Sequence, residues 1–285
     1  MTIADEAAHH GLHRVGGRPP LGAYLAEVWR RREFTFLLAR YRLEAENGRN
    51  RLGMLWVVLK PLLSAGVYGL MFGLLLDTHK DVDDFLAFLV IGVLLFEYFS
   101  TCFTTGARSI TANAALVQSL SFPRMALPLA LVAQRFMQFV PMVAIMMLVA
   151  VLMGNYPSVQ WLLIVPLALL FTLVNIGLTL MTARLTVHFR DLTQLLPFIS
   201  RFFFYTSGIF FSVEVRFGDH PTIMRIADLQ PIHEFLSLGR AILLDGPQYD
   251  ITTIYWAYAS AWAVLLVVAG ILFFWAAEER YGRTD

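Results

Sequence analysis

The chain has 285 residues, 58% of them from the hydrophobic set and 15% charged, with a net charge of +1. So apolar a composition excludes an ordinary soluble domain, in which about half the residues are apolar. The near-neutral charge argues against nucleic acid as a partner, and a single cysteine, Cys102, excludes a disulfide scaffold or a cysteine-based metal centre. No catalytic or metal-ligating constellation is expected.

Residues 1–20 carry His9, His10 and His13 among paired glycines and prolines, and are expected to form a flexible cytoplasmic tail. From 21 to about 44, apolar residues recur at helical spacing between Arg30, Arg31, Arg32, Arg40 and Arg42. This predicts an amphipathic cytoplasmic interface helix, with a connector to residue 55, lying along the lipid surface.

Blocks of about twenty apolar residues follow, the length needed to cross a bilayer. Six spans are predicted, at 56–76, 85–105, 125–153, 159–183, 194–212 and 253–277, forming one domain over 56–277 and leaving 278–285 as a cytoplasmic tail. With both termini on one side, that side holds fifteen Lys/Arg. The other holds four: Lys80, Arg216, Arg225 and Arg240. The positive-inside rule then places both termini in the cytoplasm of a multi-pass protein of the plasma (inner) membrane. Between spans five and six, residues 213–251 contain Pro231 followed by Ile232, Phe235, Leu236, Ile242 and Leu243 at helical spacing. Helices there are too short to span and are expected to lie in the outer interface or re-enter the bundle. The fold class is therefore all-α: six transmembrane helices, an amino-terminal interface helix and short extracellular re-entrant helices.

Neither lysine lies in a phosphate-binding Gly-Lys-Ser/Thr loop, since Lys60 precedes Pro61 and Lys80 precedes Asp81. The chain is expected to be no enzyme and to bind no cofactor itself. Charges inside the spans are costly unless paired or wetted. Glu97, Arg135 and Arg201 all fall roughly 12–15 Å deep at 1.5 Å per residue. They are expected either to form an interhelical charge cluster or to line a wet path. Span five also places Gln194, Arg201, Tyr205 and Ser212 on one face, with Phe198 and Phe204 among the aromatics around it.

Several segments resemble the ABC-2 type permeases that export cell-surface polysaccharides such as O-antigen, teichoic acid and galactan. They are Arg51-Leu52-Gly53-Met54-Leu55-Trp56 with Lys60-Pro61-Leu62, Asn113 to Val117 through Phe122-Pro123-Arg124, Phe189-Arg190-Asp191-Leu192, and Gln230-Pro231 with Arg240 to Leu244. The resemblance implies a homodimer bound to two copies of a separate cytoplasmic ABC ATPase, which would hold the ATP and Mg. Arg108, Asn113, Leu116, Phe122, Pro123 and Arg124 would form the segment coupled to that ATPase. It also implies a lipid-linked glycan, carried on polyprenyl diphosphate, passing along a wall of Tyr68, Phe72, Phe198, Arg201, Phe204, Tyr205 and Ser212. The arginine-rich composition suits an actinobacterial galactan exporter. An ABC-2 exporter of a small molecule is one alternative reading. A membrane-embedded sugar transferase using His188, Arg190 and Asp191 is another.

Overall fold

The computed structural model describes residues 19–48, 51–71, 84–119, 122–246, 249 and 253–278. Phe72, the acidic run at 81–83, most of the amino-terminal tail and residues 279–285 lie outside them. Among the described residues the regular structure is entirely helical.

The interface segment is two helices, α1 (Leu21–Arg30) and α2 (Arg32–Asn47), which meet at Arg31. Then come α3 (Trp56–Tyr68), α4 (Phe85–Gly106), the short α5 (Ala114–Ser119), α6 (Ala126–Leu152), α7 (Ile164–His188) and α8 (Leu192–Thr206). The chain continues through α9 (Val213–Phe217), α10 (Pro221–Asp228), α11 (Pro231–Leu243) and α12 (Thr253–Trp275).

Five helical stretches among the described residues are long and apolar enough to cross a bilayer: Gly53–Met71, Phe85–Gly106, Ala126–Leu152, Val159–His188 and Thr253–Trp275. They stand where spans one, two, three, four and six are expected. At the place of the expected fifth span, 194–212, the helix is shorter than expected. Helix α8 has only 15 residues and ends at Thr206, giving a length of roughly 22 Å. The chain then turns at Gly208, whose φ of 73° suits glycine. That turn is held from outside the segment, because the buried Arg240 guanidinium donates to the carbonyls of Gly208 (2.9 Å) and Ile209 (3.2 Å).

Helix α4 is apolar all round over its first three turns, Phe85 to Phe96, and such a helix belongs in the interior. It is buried along nearly its whole length, against α3, α6, α7, α8 and α11. Helices α7 and α12 approach backbone to backbone at paired glycines. A Cβ on Gly177 would collide with the Leu266 carbonyl, and one on Gly270 would lie 2.6 Å from the Gly177 oxygen. Small residues permit this approach where lipid supplies no hydrophobic drive between helices.

Helix α11 also departs from expectation. The periodicity predicts one apolar face, and Ile232, Phe235, Leu236, Ile242 and Leu243 are indeed buried. So are His233, Glu234 and Arg240, so the helix is enclosed on all sides, among α4, α7 and α12.

Candidate functional site

The membrane-depth charges do not form the three-member cluster anticipated from their depth. Arg135 donates to both carboxylate oxygens of Glu46 on α2, at 3.2 Å each, and to Gln138 at 2.7 Å. Gln134 and Gln138 add bonds of 2.6 and 3.3 Å to the same carboxylate. Glu97 is half-buried and lines, with Lys60, Arg135 and Glu46, a cavity of about 270 Å³ between α2, α3, α4 and α6. Two basic and two acidic side chains thus share one cavity, and opposite charges close together lower the cost of placing each at this depth. Arg201 is elsewhere, on the exposed face of α8, and forms no salt bridge among the described residues. Glu46 and Lys60 were not expected in this group, because their helix contacts are invisible to a depth count.

The expected aromatic wall comes together in part. Tyr68 of α3 meets Phe204 of α8 at 5.2 Å between centroids, and Phe210 at 5.4 Å. Phe204 contacts Phe96, Tyr205 and Phe210 at 5.1, 5.5 and 5.1 Å. These are tilted and edge-to-face contacts favoured by the ring quadrupoles. Phe198, Phe202 and Tyr205 are 67%, 64% and 54% exposed, and with Arg201 they make the open face of α8. Ser212 instead caps α9, accepting from the Val215 amide at 3.3 Å and donating to Glu214 at 2.7 Å. Phe210 was missed because it lies past the end of α8, where helical periodicity no longer reports orientation.

The segment from Arg108 to Arg124 is tied into its own chain. Asn113 accepts from Arg42 at 3.1 Å and donates to the Ser109 carbonyl at 2.7 Å. Phe122 lies against Phe34 of α2 at 5.5 Å. Leu116 is half-buried and Pro123 buried, while Arg108 is exposed. The Arg124 amide donates to Glu278 Oε1 at 3.1 Å, and its guanidinium to the Glu278 carbonyl at 2.7 Å. Tyr24 of α1 donates to Glu278 Oε2 at 2.7 Å and accepts from the Met125 amide at 3.2 Å. Residue 278, expected in a solvated tail, is only 6% exposed and joins three parts of the chain. Burial pushes its carboxyl above the ordinary value, against the hydrogen bonds from Tyr24 and Arg124 and the charge of Arg124.

A second polar centre surrounds α11. Arg240, 3% exposed, also donates to the Phe88 carbonyl at 3.2 Å, and its guanidinium lies 3.3 Å from the centre of the Phe88 ring. His233 Nε2 stands 3.5 Å from Glu214 Oε1. Burial alone would raise the Glu214 carboxyl, but His233 and the bonds from Ser212 and its own backbone hold it at about 2. Glu234 is fully buried, and neither carboxyl oxygen is hydrogen-bonded among the described residues. Burial first, then the Asp228 charge, pushes it up to about 8. An acid raised in the folded state gives stability that is complete below its unfolded value of about 4.5 and lost as pH rises through about 8. Glu234→Gln should therefore flatten the fall in melting temperature between about pH 5 and 9. An unchanged slope would exclude Glu234 as its source.

These helices define a multi-pass membrane protein with an aromatic-walled face. The chain belongs to the ABC-2 type transporter family, which it matches over residues 33–244. It is 25% identical over 253 residues to the O-antigen export system permease protein RfbA of Myxococcus xanthus, covering 89% of this chain and 96% of that protein. To the protein of the same name from Klebsiella pneumoniae it is 24% identical over 235 residues, covering 81% and 87%.

Proposed function

We propose that this chain is the permease subunit of an ATP-driven exporter that moves a lipid-linked cell-surface polysaccharide, with galactan a candidate cargo, from the cytoplasm across the plasma membrane. It acts as a homodimer with two copies of a cytoplasmic ABC ATPase, and both termini face that ATPase. The observation that carries the reading is the exposed α8 face of Phe198, Phe202 and Tyr205, continuous through Phe204 with Tyr68 and Phe210. Sugar faces stack on aromatic rings with little directional demand, so a repeating polymer can slide along such a wall without meeting a deep binding minimum. Arg201 on the same face suits an anionic diphosphate headgroup. The relatives' names support polysaccharide over a small molecule.

Depletion of the chain should cause intracellular lipid-linked glycan to accumulate. Restoring it with Phe198→Ala and Tyr205→Ala together should recover less than about a tenth of export while ATPase co-purification stays at the wild-type level. Full recovery would remove the aromatic face from the path. A purified chain that turned over a glycan without any ATPase would favour the transferase reading instead.

A further inference from the structure

A groove of about 500 Å³ separates α1 and α2 from the bundle, with Leu25, Val28 and Phe36 on one side and Leu129, Ala133 and Val267 on the other. It follows α6 from Met125 to Ala133, two turns or roughly 12 Å. None of the lining residues of α6, α7 or α12 is charged. Arg32, at the break between α1 and α2, is the one charged residue of the lining. A water inside would find Arg32 and Thr35 as side-chain partners, and Thr35 already donates to the Arg31 carbonyl at 3.3 Å. So apolar a bore does not suit water, which needs two to four polar contacts. It does not suit a sugar for the same reason.

Charge is confined to the break. Glu27 is taken by Arg31 at 3.0 Å, which leaves Arg30, Arg32 and Glu33. Arg32 spends one long bond, 3.4 Å, on the Trp29 carbonyl and lies 5.2 Å over the Trp29 ring. Neither Arg30 nor Arg32 pairs with an acid among the described residues. Trp29 and Phe36 at the rim are 70% and 60% exposed. A hydrocarbon bore with net positive charge at the break beside it matches an amphiphile with one apolar chain and an anionic head.

We propose that this groove is a fixed site for one acyl chain of an anionic phospholipid, its phosphate held by Arg32. This goes beyond a helix resting on a lipid surface, because it assigns one lipid to one place on each chain. It is separate from the aromatic face, since no residue of α8 lines the groove. It depends on membrane residence alone and stands or falls apart from the export reading. By wedging between α1–α2 and the bundle, the lipid would set how tightly the interface helices seat beside the segment from Phe122 to Met125.

Native mass spectrometry of the full chain, released from detergent carrying phosphatidylglycerol or phosphatidylcholine of identical acyl chains, tests this. The wild type should keep one phosphatidylglycerol per chain at least about tenfold more often than phosphatidylcholine. Arg32→Ala should bring the two within about twofold. Ala133→Trp should fill the groove and lose both lipids while melting near the wild-type temperature. Leu129→Phe serves the same purpose should the tryptophan prevent folding. Equal retention of the two lipids by the wild type would overturn the proposal, as would undiminished retention in a filled groove. So would displacement of the phospholipid by an isoprenoid.

Discussion

Replacing Arg240 with leucine is expected to destabilise the protein by about 3–5 kcal/mol, read as unfolding in detergent and as loss of protein from the membrane. The side chain is buried and satisfies three backbone carbonyls, those of Phe88, Gly208 and Ile209. Each carbonyl left without a donor in a dry interior costs about 1–3 kcal/mol. Relief of the guanidinium's own desolvation offsets part of the total. Burial pushes the guanidinium down to about 9, against the raising effects of Glu214 and Tyr249. Arg240→Lys should recover only part of the loss, because an ammonium is a point charge and lacks the planar fork that reaches several acceptors at once. A leucine variant that unfolds with the wild type would mean that the turn after α8 holds itself.

Glu278→Ala is expected to act on coupling. In the proposed complex, export in proteoliposomes should drop at least about tenfold while ATP hydrolysis stays within about twofold. The substitution removes the carboxylate that accepts from both the Arg124 amide and the Tyr24 hydroxyl, and so loosens the start of α6 against α1 and the end of α12. It leaves the bonds from the Arg124 guanidinium to the residue 278 carbonyl and from the Met125 amide to Tyr24. Arg124→Ala should lower export per ATP in the same way. Glu278→Gln keeps a neutral acceptor for both donors and should retain most of the coupling. If hydrolysis and export fell together by the same factor, Glu278 would be a stability residue and the node would carry no coupling.

Much of the helical layout was legible in the chain. Blocks such as Phe85 to Thr105 are apolar over a bilayer's thickness whatever surrounds them, and their ends are marked by charge. In the fifth apolar block the helix is shorter than the block, because length and hydropathy were summed across Gly208, where the helix has already stopped. The aromatic wall was half legible: Phe198, Phe204 and Tyr205 follow helical spacing, whereas Phe210 follows a turn. The resemblance singled out the segment from Arg108 to Arg124, but its anchors were not legible. Tyr24 and Glu278 are 254 residues apart, and no local pattern relates them.

Membrane residence and helix positions follow from composition and order, because hydrophobic burial and backbone hydrogen bonding in lipid act locally along each segment, whereas the class of transporter rests on resemblance. Which charge meets which is a different matter. Arg135 with Glu46 rather than Glu97 alone, Arg240 inside rather than in the outer loop, and Glu278 beneath Tyr24 all depend on contacts between distant segments. A buried polar group takes whichever partner folding brings within about 3 Å, and that distance exists only once the helices have packed.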